Sequence, residues 1–191
     1  MTFPTLPPAV HGLPYRGRMP QYRDLTRARS LITPVADFPA EGVVFQDVMP
    51  LLTDPVALRA CVQEMLVPFF GRFDVVAGLE ARGFLLAGAA AMVADVGLLP
   101  IRKAGKLPRP AAEAAYDLEY GRACVEVQAD VEPGTRVLVL DDVLATGGTL
   151  VAAHEVLRSI GCEVAGSAVL LEIPSLGGRS RVPDVHAVFA G

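Results

Sequence analysis

Residues 136 to 149 read RVLVLDDVLATGGT. Arg136 to Leu140 is a short, unbroken apolar run that stops at two acids and a small-residue loop, the pattern of a strand buried on both faces of a sheet. Leu150 to Ile160 then reads as a helix ended by Gly161, and Val164 to Leu171 as another strand. The same grammar appears upstream. Phe73 to Leu79 (FDVVAGL) is a buried strand, Gly83 to Val96 a helix, and Leu98 to Ile101 a further short strand. Asp54-Pro55 opens an earlier helix through Val56, Leu58, Met65 and Leu66, since aspartate caps free amides and proline suits the first helical position. Strands alternating with helices imply parallel pairing and right-handed crossovers. The expectation is one α/β domain over residues 1–191, without repeat or linker. Residues 1–20, rich in proline, are expected to form an extended or partly disordered arm.

In open α/β sheets ligands bind beyond the carboxyl ends of the strands, so chemistry is expected just after Leu79 and Leu140. Asp141-Asp142-Val143-Leu144-Ala145-Thr146-Gly147-Gly148-Thr149 has the parts of an anion site. Glycines admit close approach to the backbone, successive amides point at the anion, and the following helix dipole favours negative charge. Thr146 and Thr149 add hydroxyl donors. The loop is not GxxxxGK[ST], and GxGxxG is absent, which removes the main support for a kinase or a nicotinamide enzyme. Asp141 and Asp142 can accept hydrogen bonds from sugar hydroxyls or help hold a hydrated magnesium ion. A phosphate beside a diol suggests a ribose 5-phosphate.

The composition agrees with a folded domain that binds a small ligand. Among 191 residues, 52% are apolar and 20% charged, enough to build a core. A net charge of -4 argues against general affinity for nucleic acid or an anionic membrane. The most apolar stretch, Phe84 to Leu99, contains Asp95 and falls short of the ~20 residues of a bilayer span, so it reads as a buried helix plus the start of a strand. Cys61, Cys124 and Cys162 lie far apart and outside metal-ligand spacing, pointing to a reducing cytoplasm. His11, His154 and His186 have no ligand partners at suitable spacing and read as structural or exposed. Tyr22 to Ile32 reads as a short helix carrying Arg23, Arg27 and Arg29.

VLVLDDVLATGGT resembles the phosphoribosyl pyrophosphate signature of type I phosphoribosyltransferases, and the chain as a whole is similar to those that act on adenine. The resemblance runs in order from Asp37 to about Gly178. FPAEGVVFQDVMPLLTDP looks like the purine-side segment, GLEARGF like the pyrophosphate loop, IRKAGKLP and YDLEYG like the ends of the flexible catalytic loop, and LLEIPSLGGR like the C-terminal base-contacting stretch. Five segments in order make it specific. The resemblance implies a central, mostly parallel sheet flanked by helices, with a small hood and a flexible catalytic loop. It also implies a homodimer, synthesis of AMP and pyrophosphate from adenine and phosphoribosyl pyrophosphate, and magnesium held mainly by substrate and water rather than by a protein cage.

By position, the resemblance assigns Ala145, Thr146, Gly147, Gly148 and Thr149 to the 5-phosphate and Asp141 and Asp142 to the ribose hydroxyls. Arg82, Lys103 and Lys106 would meet pyrophosphate, with Arg102 reaching a neighbouring subunit. Glu119 would act as acid/base near purine N7, with Tyr120 closing over it. Phe45 and Ile173 would sandwich the purine while the backbone of Val44 and Gln46 reads its edge. The Glu80-Ala81 peptide is expected to be cis. One departure matters: Gln46 stands where the family commonly has arginine, which leaves a transferase for hypoxanthine, guanine or xanthine as the nearest alternative. A more distant one is a regulator that senses phosphoribosyl pyrophosphate and binds nucleic acid through the arginines between Arg16 and Arg29.

Overall fold

The computed structural model describes residues 24–118 and 121–191. The expected N-terminal arm, Arg16, Arg23, Glu119 and Tyr120 lie outside the described residues. Seven strands form the central sheet: β3 (Val75–Leu79), β4 (Gly97–Lys103), β5 (Ala112–Leu118), β6 (Gly121–Val127), β7 (Arg136–Leu144), β8 (Glu163–Glu172) and β9 (His186–Ala190). Their spatial order is β5-β6-β4-β3-β7-β8-β9. Every pair from β4 to β9 is parallel, whereas β6 runs antiparallel to both β4 and β5. A separate hairpin of β1 (Thr33–Ala36) and β2 (Val44–Asp47) forms a small hood.

The period-two rule explains why β7 reads as a continuous apolar run. Leu138 and Leu140 join the core under α3 (Pro55–Leu66) and α4 (Arg82–Ala94), with Met65, Leu86 and Leu170. Val137 and Val139 join the opposite core under α5 (Gly148–Ser159), with Leu150, Val156 and Leu157. Successive side chains point to opposite faces, and both faces are covered.

Several boundaries sharpen. β7 does not stop at Leu140. It runs on to Leu144, because β8 continues to pair with it, Asp141 opposite Val169 and Leu144 opposite Glu172. The Asp54 cap is as expected, its Oδ1 accepting the backbone N–H of Val56 and Ala57. The arginine-bearing helix is shorter than expected, α1 (Thr26–Ser30). Arg27 donates to the Asp54 carboxylate and Arg29 stands 6.0 Å over the Phe189 ring, so both are committed within the fold.

The expected burial of the Phe84 to Leu99 stretch is corrected. Gly83, Ala87, Ala90 and Ala91 form a small-residue stripe that lets α4 lie close on the sheet, with Leu86 buried beside them. On the other side, Leu85 is 54% and Met92 84% exposed. Among the described residues no helix is long and apolar enough to cross a membrane.

Candidate active site

Three chain segments meet beyond the carboxyl ends of β3 and β7. After Leu79 comes the Glu80-Ala81 peptide, which is cis as expected, and then Arg82 opens α4. Arg82 Nη2 lies 2.6 Å from Asp142 Oδ2, and its guanidinium stands 5.3 Å from the centre of the Phe45 ring. Asp142 is buried, so its charge needs this partner. Asp141 behaves differently. Its Oδ1 accepts the Asp142 backbone N–H at 2.9 Å, and its carboxyl titrates well above the usual carboxylate range, because burial and then the neighbouring Asp142 charge penalise ionisation. Of the two expected sugar-facing acids, Asp142 reaches the cavity described below, while Asp141 is tied to the backbone of its own strand.

Ala145 and Thr146 follow β7, and Gly147, at φ +80°, turns the chain into α5 at Gly148. A β-carbon on Gly147 would stand 2.9 Å from the Gly178 carbonyl oxygen. A β-carbon on Gly178 would in turn overlap the Ala145 carbonyl oxygen. Gly178, the second glycine of LLEIPSLGGR, therefore braces the Ala145–Thr149 loop from behind. That support was missed in the sequence, where only Ile173 of the stretch carried a role. Arg179 completes the brace by pairing with Glu172 and donating to the Val185 carbonyl at 2.9 Å.

A cavity of about 440 Å³ opens between hood and sheet, of a size suited to a heterocycle. Val44, Phe45 and Gln46 line it from the hood, Ile173 and Leu176 from the C-terminal stretch, and Arg82 and Asp142 from the floor. Phe38 supports Phe45 edge-on, with ring centres 5.1 Å apart. The structure thus brings together Val44, Phe45, Gln46, Ile173, Arg82 and Asp142. A larger cavity, about 760 Å³, lies at the amino-terminal ends of β8 and β9 and includes His154 and His186. It contains none of the expected site residues.

In the cationic segment, Arg102 Nε donates to Glu80 Oε2 at 3.1 Å and its Nη1 to the Lys106 carbonyl at 3.2 Å. Lys103 and Lys106 are exposed. At the expected flexible loop, Gly105, Lys106 and Leu107 are hydrogen-bonded to Glu126, and β5 pairs with β6.

Among the described residues no group of three or more histidine, cysteine, aspartate or glutamate side chains could hold a metal ion. The Asp141–Asp142 pair offers hard oxygen donors that suit the edge of a hydrated magnesium ion, with the remaining positions left to phosphate oxygens and water.

Comparison with known proteins places this geometry. Residues 58–188 match the phosphoribosyl transferase domain family. The adenine phosphoribosyltransferase of Clavibacter sepedonicus is 51% identical over 179 residues, covering 92% of this chain and 93% of that protein. The Arthrobacter sp. enzyme of the same name is 52% identical over 154 residues, covering 80% and 83%. The crystal structure of adenine phosphoribosyltransferase from Rhodothermus marinus superposes with a TM-score of 0.82 at 42% identity, covering 87% of this chain and 98% of that one. The APRTase of Giardia lamblia complexed with 9-deazaadenine gives 0.81 at 37% identity, covering 87% and 97%. An anion loop at the end of β7, an arginine bound to the acid before it, a hooded apolar slot and half-identical relatives along nearly the whole chain converge, and the chain belongs to the adenine phosphoribosyltransferases.

Proposed function

We propose that the protein transfers the 5-phosphoribosyl group of phosphoribosyl pyrophosphate to N9 of adenine, giving AMP and pyrophosphate. The observation that carries this reading is the cavity in which Phe45 and Ile173 meet the Asp142 carboxylate, beyond which the chain continues into the Gly147–Gly148 loop and α5. The cavity suits a flat base, and the loop that follows suits a sugar phosphate. The names of the relatives and the bound 9-deazaadenine of the Giardia protein support the same assignment.

The bond from ribose C1 to the pyrophosphate oxygen breaks as the bond to N9 forms, from the adenine tautomer protonated at N7, and the N7 proton passes to the Glu119 carboxylate. C1 develops positive charge and the departing group negative charge. Cations that meet the departing oxygens stabilise the transition state more than the ground state. Arg82, Lys103 and Lys106 take that role. Arg82 is held by Asp142 before substrate arrives; ribose hydroxyls donating to Asp142 would compete for that carboxylate and release the guanidinium. Ala145 to Thr149 hold the 5-phosphate with backbone N–H groups and the α5 dipole. Asp141, with its raised affinity for a proton, is best placed as an acceptor only once hydroxyl donors reach it. Phe45 and Ile173 clasp the purine, and Val44 and Gln46 face its edge. Glu119 serves as acid/base at N7, with Tyr120 closing the site. Magnesium, carried in with phosphoribosyl pyrophosphate, supplies positive charge to the leaving oxygens.

Residues 1–191 act as one domain in this reading, and the working form is a homodimer in the cytoplasm. The exposed apolar face of α4, Leu85 and Met92, together with Leu98 on β4, supports self-association. The thiols Cys61, Cys124 and Cys162, none in a disulfide, suit a reducing compartment. Gln46 in the cavity keeps transfer to an oxopurine as the second reading. Mixing the protein with adenine, phosphoribosyl pyrophosphate and magnesium tests the proposal: AMP and pyrophosphate appear in equal amounts and chelation stops both. No AMP under any magnesium concentration would refute it.

A further inference from the structure

Glu126 is only 3% exposed, one of four buried polar or charged residues in the described chain. It lies where the β5–β6 hairpin joins the main sheet. That junction is narrow, with only Arg102 opposite Glu126 and Lys103 opposite Val125 in register. A carboxylate so removed from water persists only if its lone pairs are filled. Here they are filled by backbone. Oε1 accepts the N–H groups of Lys106 at 2.7 Å and Leu107 at 2.6 Å, and Oε2 accepts that of Gly105 at 3.1 Å.

The neighbouring bonds extend the pattern. Glu80 Oε2 accepts the Lys103 N–H at 3.1 Å, and the Cys124 carbonyl accepts the Ala104 N–H at 3.0 Å. All five consecutive N–H groups from Lys103 to Leu107 are therefore committed, four of them to carboxylate oxygens. Gly105, at φ +80°, permits the turn that makes three of these donors converge. Such a concave set of amides is an anion nest, and the anion in it belongs to the protein. An arriving pyrophosphate cannot use these amides, but it can meet the lysine side chains that spring from the turn.

We propose that Glu126 is the positioning residue for the leaving-group lysine Lys106: its carboxylate fills the nest of Gly105, Lys106 and Leu107 and thereby fixes the direction of Lys106. The proposal rests on the reading that Lys106 meets pyrophosphate.

Glu126→Gln tests the role, because its amide presents one NH2 group to a nest of donors. Hydrogen exchange at Gly105, Lys106 and Leu107 should accelerate while the β3 and β7 amides keep their protection. KM for phosphoribosyl pyrophosphate should rise about tenfold or more with KM for adenine within about twofold. The decisive readout is a cycle with Lys106→Ala: the double variant should resemble Lys106→Ala alone to within about threefold, because the lysine has already lost its aim. Glu126→Asp, which keeps the charge but is one methylene shorter, should show the same pattern and serves if the glutamine variant does not fold. If the two single effects multiply, or if both Glu126 variants keep wild-type exchange at 105–107, the proposal is overturned while Lys106 keeps its role. If Lys106→Ala retains wild-type KM for phosphoribosyl pyrophosphate, the lysine assignment itself fails and takes this proposal with it.

Discussion

Asp142 bears more of the site than its neighbour, although the sequence presents the two acids as equals. It holds Arg82 at 2.6 Å, lines the cavity, and is nearly sealed from solvent. Asp142→Asn should lower kcat/KM for phosphoribosyl pyrophosphate by about a hundredfold, since Arg82 loses its partner and the sugar loses a charged acceptor. Steady-state kinetics with each substrate varied would check it, and a change confined to adenine KM would contradict it. His154 gives a separate prediction away from the site. Burial, with the nearby Arg158 charge, lowers its pKa to about 4, and its Nε2 is 2.7 Å from Ser167 Oγ. The unfolded chain binds a proton there near the ordinary 6.5, so its neutral form in the fold contributes stability that is complete above that pH. This contribution is lost as pH falls from about 6.5 to about 4. His154→Gln should flatten the fall in Tm across that window by a few degrees, measured by thermal scans at stepped pH. A parallel slope in both proteins would contradict the prediction.

At the scale of elements, the anion loop depends on a partner from far along the chain. Gly178→Ala would drive a methyl group into the Ala145 carbonyl and shift the loop. KM for phosphoribosyl pyrophosphate should rise by about tenfold or more, with a modest loss in Tm. Unchanged binding by calorimetry would show that the brace is dispensable. Buried parallel strands were legible in the sequence because double burial writes unbroken apolar runs, as in RVLVL and FDVVAGL. The α3 start was legible because Asp54-Pro55 is a chemical signal rather than a pattern. The β5–β6 hairpin was not. Glu113, Asp117, Arg122 and Glu126 interrupt its apolar pattern, and Glu126 is satisfied by amides of residues 105–107 that no local window contains. The bracing role of Gly178 was hidden for the same reason: a close backbone approach leaves no mark beyond the glycine itself. Glu126 stood in the sequence as one acid among many, and only its three amide donors distinguish it.

For the whole molecule, α4 is the element that would link the site to the proposed homodimer. Its first residue, Arg82, enters the cavity, while Leu85 and Met92 leave an apolar face uncovered. Sedimentation should give twice the chain mass for the native protein and the single mass for Leu85→Lys/Met92→Lys at micromolar concentration. Native monomers would contradict the homodimer. In the proposed reading the hood supplies the base pocket and the sheet the phosphate loop, so Val44, Phe45 and Gln46 choose the base while phosphoribosyl binding is common to any purine. Gln46 stands where the family resemblance expects arginine, and base preference is therefore the property on which the proposed function turns. The most direct test measures kcat/KM for adenine, hypoxanthine, guanine and xanthine separately, each with phosphoribosyl pyrophosphate and magnesium. Adenine should exceed every oxopurine by at least about a hundredfold, because a mismatched edge leaves buried hydrogen-bonding groups unpaired. An oxopurine converted as fast as adenine, or no nucleotide formed from adenine, would contradict the assignment.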